Sequence, residues 1–253
     1  MAVYTVTFSG INYALASAAV GVPTMANPAK ALILYVTGLG TFGARSPPTA
    51  PTGYGASIAP NTLAPDIAIY PRIAVAANES PSSINWASPN ASYAFGIILT
   101  PPAGYVVPIL ADILDVPGVD YSSTSVAGFA YFTQITPSVA GGALLLGIGQ
   151  RIKTNTTNLA TVGSMVHDTA FGAPLFSHVA TGVGPAVVVN GWQQTTPTAT
   201  NTADTQLLSI NDSSLNSQTV FLAIAAPVLI GSLGAQFALR NKRRIISTVS
   251  YRR

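Results

Sequence analysis

Apolar and polar positions alternate with a period of two in many short stretches of this 253-residue chain. Near its start, Tyr4, Val6 and Phe8 fall on one side while Thr5 and Thr7 fall on the other. Such spacing suits a strand, whose successive side chains point to opposite faces, and does not suit a helix, which repeats about every 3.6 residues. Strand-like runs rich in β-branched and aromatic residues cover 3–8, 31–37, 67–75, 93–99, 105–110 and 126–133. Others follow at 143–146, 186–189, 206–210, 219–230 and 245–251.

Glycine, proline, serine and asparagine clusters separate these runs. With 22 glycines and 19 prolines spread along the chain, long helices are unfavourable, because proline removes a backbone donor and glycine adds chain entropy. Short helical turns are predicted only near 14–19, 109–114 and 159–167. Many short strands with turn-rich joints, and no strand–helix alternation, predict an all-β fold. The expected form is an antiparallel sandwich of jelly-roll type with long Pro/Gly-rich loops. Two such loops stand out: 43–65, with Pro47, Pro48, Pro51, Pro60 and Pro65, and the threonine-dense 193–204. Loops of that length are uncommon in compact domains and tend to be functional or ordered by a partner; in an assembling subunit they would reach across to neighbours.

Composition changes the picture more than any motif. Charged residues make up 8% of the chain and apolar ones 49%, against about 25% charged in an ordinary soluble domain. A lone monomer keeps more charge on its surface; a subunit whose faces are covered by its neighbours does not need it. The absence of cysteine excludes disulfides and thiolate chemistry. Residues 1–8 carry neither a basic nor a long apolar stretch, so no secretory leader is predicted. Asn78, Asn90, Asn155 and Asn211 begin Asn-x-Ser/Thr triplets, which chance supplies freely in a chain so rich in serine and threonine.

The few charges are segregated. Arg240, Lys242, Arg243, Arg244, Arg252 and Arg253 are six of eleven cations, and no anion lies among them. The first 239 residues hold five cations and eight anions, a net −3. Two units are therefore expected: an assembly domain over 1–239 and a basic tail over 240–253. Clustered Lys and Arg bind phosphate by releasing counterions and are drawn equally to anionic lipid headgroups. Ile245, Ile246, Val249 and Tyr251 between the cations suggest a strand rather than a loose arm.

Residues 219–239 form a charge-free run of 21 positions directly before that tail, the pattern of a membrane span with a cytoplasmic anchor. Pro227, Gly231, Ser232, Gly234 and Gln236 interrupt it, and its start favours a strand. A buried strand pair or strand-to-helix element is the preferred reading. A cell-surface or envelope protein anchored by a transmembrane helix over 219–239 is the alternative.

Motifs for chemistry are weak. The stretch from Gly38 through Gly40 to Gly43 matches G-x-G-x-x-G, but Pro47 and Pro48 prevent the helix that a dinucleotide site needs. His167 with Asp168 and Ser164, and the second histidine His178, lack the spacing of a hydrolase elbow or a zinc site. Asp112, Asp115 and Asp120 form one acidic cluster without a calcium-loop spacing. A carbohydrate site would need acids beside Trp86 or Trp192, and no such neighbours occur in sequence. No catalytic, cofactor or metal residues are expected, and no small-molecule substrate. Low charge, short strands, long loops and one basic terminus are similar to the general design of a virus capsid subunit, an analogy at the level of fold alone. It implies a virion location, further copies of the chain as the main partner, and a genome or inner membrane as the partner of the tail.

Overall fold

The computed structural model describes residues 3–14, 19–21, 23–39, 48–58, 67–86, 92–108, 129–132, 143–152, 162–166, 175–180, 187–193, 206–210 and 216–231. Among them the chain is all-β, with sixteen strands, every pairing antiparallel and almost no helix. The first half supplies β1 (Thr5–Phe8), β2 (Asn12–Ala14), β3 (Ala19–Val20), β4 (Leu32–Leu39), β5 (Ile67–Ile73), β6 (Ile84–Asn85), β7 (Ser92–Thr100) and β8 (Tyr105–Val106). From the second half come β9 (Phe129–Phe132), β10 (Ala143–Ile152), β11 (Val162–Val166), β12 (Phe176–Ala180), β13 (Val187–Gln193), β14 (Gln206–Ile210), β15 (Asn216–Ala225) and β16 (Val228–Leu229).

Two sheets hold most of the core. The first runs β1-β7-β4-β5, with β2 also on β7; the second runs β12-β13-β10-β15. Period-two alternation explains how they meet. Leu32, Leu34 and Val36 of β4, Ile67 and Ile69 of β5, and Tyr93, Phe95, Ile97 and Leu99 of β7 point one way. Leu144, Leu146 and Ile148 of β10, Val187 and Val189 of β13, and Val220, Leu222 and Ile224 of β15 join them in one buried cluster. Each such side chain taken out of water contributes roughly 1.5–3 kcal/mol.

The intervening residues of the first sheet point to its other face. Ile33, Tyr35, Ala68, Tyr70, Ala94 and Ile98 pack there with Val20, Met25, Ile84 and Trp86 in a second buried cluster. Its cover comes from connections. β5 and β7 flank β4, so the chain between them must cross that strand, and residues 74–86 with β3 and β6 do so over this face. An antiparallel sheet buried on both faces has no polar positions to alternate with, which is why 32–36 is a continuous apolar run.

Both edges of this sheet are modified. Along β7, Phe8 pairs with Ile97 and Asn12 with Ala94, so one extra residue is inserted between β1 and β2. This is a β-bulge. Ser9 manages it: its N–H donates to the Gly96 carbonyl at 3.0 Å, and its hydroxyl accepts from the Gly96 N–H at 2.7 Å and donates to the Gly10 carbonyl at 2.9 Å. Gly96 leaves room for Met25, whose sulfur a Cβ there would overlap. On the opposite edge, β5 contains Pro71, a residue suited to an edge because it lacks an N–H. Gly55 donates to the Pro71 carbonyl and Ile58 to the Ile69 carbonyl, each at 2.8 Å.

Residues 48–58, the described part of the 43–65 loop, lie along β5 and pack Tyr54 against the second cluster. A helical turn was expected at 159–167, but β11 occupies 162–166, where β-branched Val162 and Val166 pair better across a sheet than they fit a helix; residues 15–18 of the turn expected at 14–19 lie outside the described residues. A continuous membrane helix over 219–239 does not form, because residues through Ala225 belong to β15 and are paired with β10. Among the described residues no helix is long and apolar enough to cross a membrane. Residues 40–47, 109–114, 194–205 and 232–253 lie outside the described residues.

Candidate functional site

Ionised side chains are scarce, so the place where two of them meet among the described residues is the natural candidate. Arg72 follows Pro71 near the end of β5, and Glu79 closes the turn after that strand. Arg72 Nε sits 2.7 Å from Glu79 Oε2, and Arg72 donates a second contact to Glu79 Oε1 at 3.2 Å. The third nitrogen donates to the Thr52 carbonyl at 3.0 Å, and the guanidinium lies 5.3 Å from the centre of the Tyr54 ring. Glu79 Oε1 also accepts the backbone N–H groups of Val75 and Ala76, at 2.8 and 3.2 Å.

Asn27 completes the arrangement. Its amide donates to the Pro28 and Ala76 carbonyls at 3.0 and 2.9 Å, and its carbonyl oxygen accepts from Glu79 N–H at 2.9 Å. The turn reverses at Asn78, whose φ of 53° is tolerated because asparagine enters the left-handed region more readily than most residues. Three segments, around 27, 52–54 and 72–79, are thus tied together. An open cleft of about 470 Å³ lies beside them, lined by Thr52, Tyr54, Arg72, Val75, Glu79 and Pro81.

This arrangement fixes structure more readily than it moves protons. Arg72 Nη1 and Nη2 are hydrogen-bonded and Glu79 Oε1 accepts from three donors, while Arg72 Nε and Glu79 Oε2 meet as a close ion pair without hydrogen-bond geometry. Tyr54 lines the cleft with its hydroxyl unpartnered, but burial, reinforced by the Glu79 charge and opposed by Arg72, pushes its pKa up to about 12. A phenol so weakly acidic stays neutral at ordinary pH.

A second junction joins the sheets. His178 of β12 stacks on Phe8 of β1, with centroids 4.0 Å apart and planes 6° from parallel, and Phe176 meets the same ring edge-on at 5.7 Å. Gly191 makes room, since a Cβ there would overlap the Phe176 ring. Burial lowers the His178 pKa below its ordinary value. Just before β1, the Tyr4 hydroxyl donates to the Ala225 carbonyl at 3.0 Å, so the segment 4–8 touches both outer strands of the second sheet.

No known family, curated protein or solved structure matches the chain.

The residues nominated from sequence are scattered or lie outside the described region. Trp86 is fully buried, its indole N–H donating to Thr37 Oγ1 at 2.9 Å while that hydroxyl donates to the Tyr93 carbonyl at 2.7 Å. It is a core residue, not a sugar platform. Trp192 lies on β13 and Ser164 on β11. Gly38 lies near the end of β4 as a ladder residue paired with Ile67 and Tyr93. Asn78 is exposed at its turn. His167, Asp168, Asp112, Asp115, Asp120, Asn90, Asn155, Asn211 and the six tail cations Arg240, Lys242, Arg243, Arg244, Arg252 and Arg253 lie outside the described residues. The clamp around Arg72 was missed from sequence because its members are spread over 27–79; the available signal was an isolated Arg and Glu seven residues apart in a chain nearly devoid of charge.

Proposed function

We infer that this chain is a non-catalytic structural subunit that assembles with copies of itself into the shell of a virus particle. One observation carries the reading: eleven cations and eight anions in 253 residues, with six of the cations in the last fourteen. A surface so poor in charge is best kept from water by like surfaces, and a segregated basic end suits an anionic interior, whether genome or inner membrane.

The fold supports this reading without being specific to it. Two sheets sharing one apolar cluster form a sandwich in this proposal, and a sandwich presents broad, uncharged faces for tiling. The jelly-roll form has less support. Its strands pass repeatedly between sheets, whereas here residues 5–100 supply one sheet and 143–225 the other. The engagement of Arg72 and Glu79 with their own backbone favours a structural over a catalytic use of the chain's few charges.

Negative-stain imaging and sedimentation of the purified full chain test the proposal. Closed shells or extended sheets of subunits support it. A particle that sediments as a monomer at high concentration overturns it. For the tail, replacing Arg240, Lys242, Arg243 and Arg244 with glutamine should weaken salt-sensitive binding to nucleic acid or to anionic vesicles; unchanged binding to both removes the tail from the proposal.

A further inference from the structure

We propose that the outer edge of β12 is a contact between copies of this chain, formed by antiparallel strand pairing about a twofold axis at His178. The inference rests on the self-assembly reading above and assigns it a place. A sheet edge presents a row of backbone donors and acceptors that will pair with another strand unless something blunts it. Three of the four edges of the two main sheets are blunted or flanked. The β1–β2 edge carries the Ser9 bulge. The β5 edge has Pro71 and is hydrogen-bonded by Gly55 and Ile58. β9 runs close beside β15.

β12 differs from all three. Its register with β13 is unbroken from Phe176 to Ala180, with no bulge. Its sequence, Phe-Ser-His-Val-Ala, contains no proline and none of the lysine or carboxylate side chains that keep edges apart. Leu175, immediately before it, is 53% exposed. Among the described residues no strand pairs with its outer side.

The occupant that fits is a second copy. An uncharged edge is repelled by no charge on its own duplicate, and twofold pairing uses one patch twice, as closed assemblies commonly do. Using all five residues of both strands places the axis at His178, with Ser177 of each copy opposite Val179 of the other. Imidazole stacking on Phe8 occupies the face of the strand, which leaves the edge geometry unaffected. A five-residue ribbon buries far less than the roughly 1,200 Å² of a stable interface, so this contact acts as one of several in a larger assembly.

The test uses the absence of cysteine from the chain, so that introduced thiols alone report. Full-length Ser177→Cys chains are mixed with Val179→Cys chains, assembled, and oxidised. The expected product is a disulfide-linked dimer that requires both variants; Thr5→Cys and Thr7→Cys chains treated identically should give at least tenfold less. Separately, Ser177→Lys should abolish or sharply reduce assembly, with its thermal midpoint read on dissociated protein to establish that it folds. Wild-type assembly that yields no 177–179 cross-link, or that survives Ser177→Lys in a folded protein, overturns the β12 contact while leaving self-assembly standing. Failure of the wild-type chain to assemble under any condition overturns both.

Discussion

Thr37→Val probes the best-defined buried polar link in the molecule. Thr37 and Trp86 are both fully buried, and the Thr37 hydroxyl accepts from the indole at 2.9 Å while donating to the Tyr93 carbonyl at 2.7 Å. Valine keeps the shape and removes both bonds. Leaving the indole N–H without an acceptor costs about 1–3 kcal/mol, and the lost bond to Tyr93 adds about 0.5–1.5 kcal/mol. Part of this is returned because a hydroxyl no longer needs to be buried. The expected net loss is about 2 kcal/mol, or a fall in Tm of roughly 4–8 °C for a chain of this length. Trp86→Phe removes the donor itself, so in that background Thr37→Val should cost only about 1 kcal/mol. Urea unfolding followed by far-ultraviolet circular dichroism, in all four members of the cycle, measures the difference. A Thr37→Val protein within about 0.5 kcal/mol of wild type, or an equal cost in both backgrounds, would refute the reasoning.

Gly96→Ala should destabilise by about 1–3 kcal/mol, as overpacking generally does, and Met25→Ala in the same chain should restore part of that loss, measured by thermal melts. Because burial holds His178 below its ordinary pKa, the unfolded chain binds more protons than the folded one on acidification. Stability should therefore fall as pH drops below about 6.5, and His178→Gln should flatten this decline in denaturant titrations at stepped pH. Burial pushes Tyr13 and Tyr54 up to about 12 and raises Tyr4, Tyr35 and Tyr70 further. The folded chain keeps phenolic protons that the unfolded chain releases, so stability should decline as pH rises past about 10, with phenolate absorbance from these five appearing only on unfolding.

Much of the strand layout was legible because alternation is a local signal. The run at 206–210 coincides with β14, and 3–8, 31–37, 67–75 and 93–99 overlap β1, β4, β5 and β7. What stayed hidden depends on contacts distant in sequence. The stretch 159–167 has no visible local reason to be extended; β11 forms over 162–166 because β14 offers a partner. Proline-rich 43–65 reads locally as a loop; the course of its described part, 48–58, along β5 depends on an edge that sequence does not reveal. Nothing local marks β12 either: Phe176, Ser177 and His178 become a strand through pairing with β13. The clamp is distributed in the same way. Asn27 and Glu79 are 52 positions apart, and only the crossover after β5 brings them together.

Burial of the first sheet on both faces also governs how the molecule opens. β4 lies between β5 and β7, so its amides are bonded on two sides, and its side chains are held by one cluster above and another below. No partial excursion exposes that strand without also parting an apolar layer. Hydrogen exchange at 32–37 should accordingly proceed only through global unfolding, making those amides the slowest-exchanging in the described region and a direct readout of the stability of the whole.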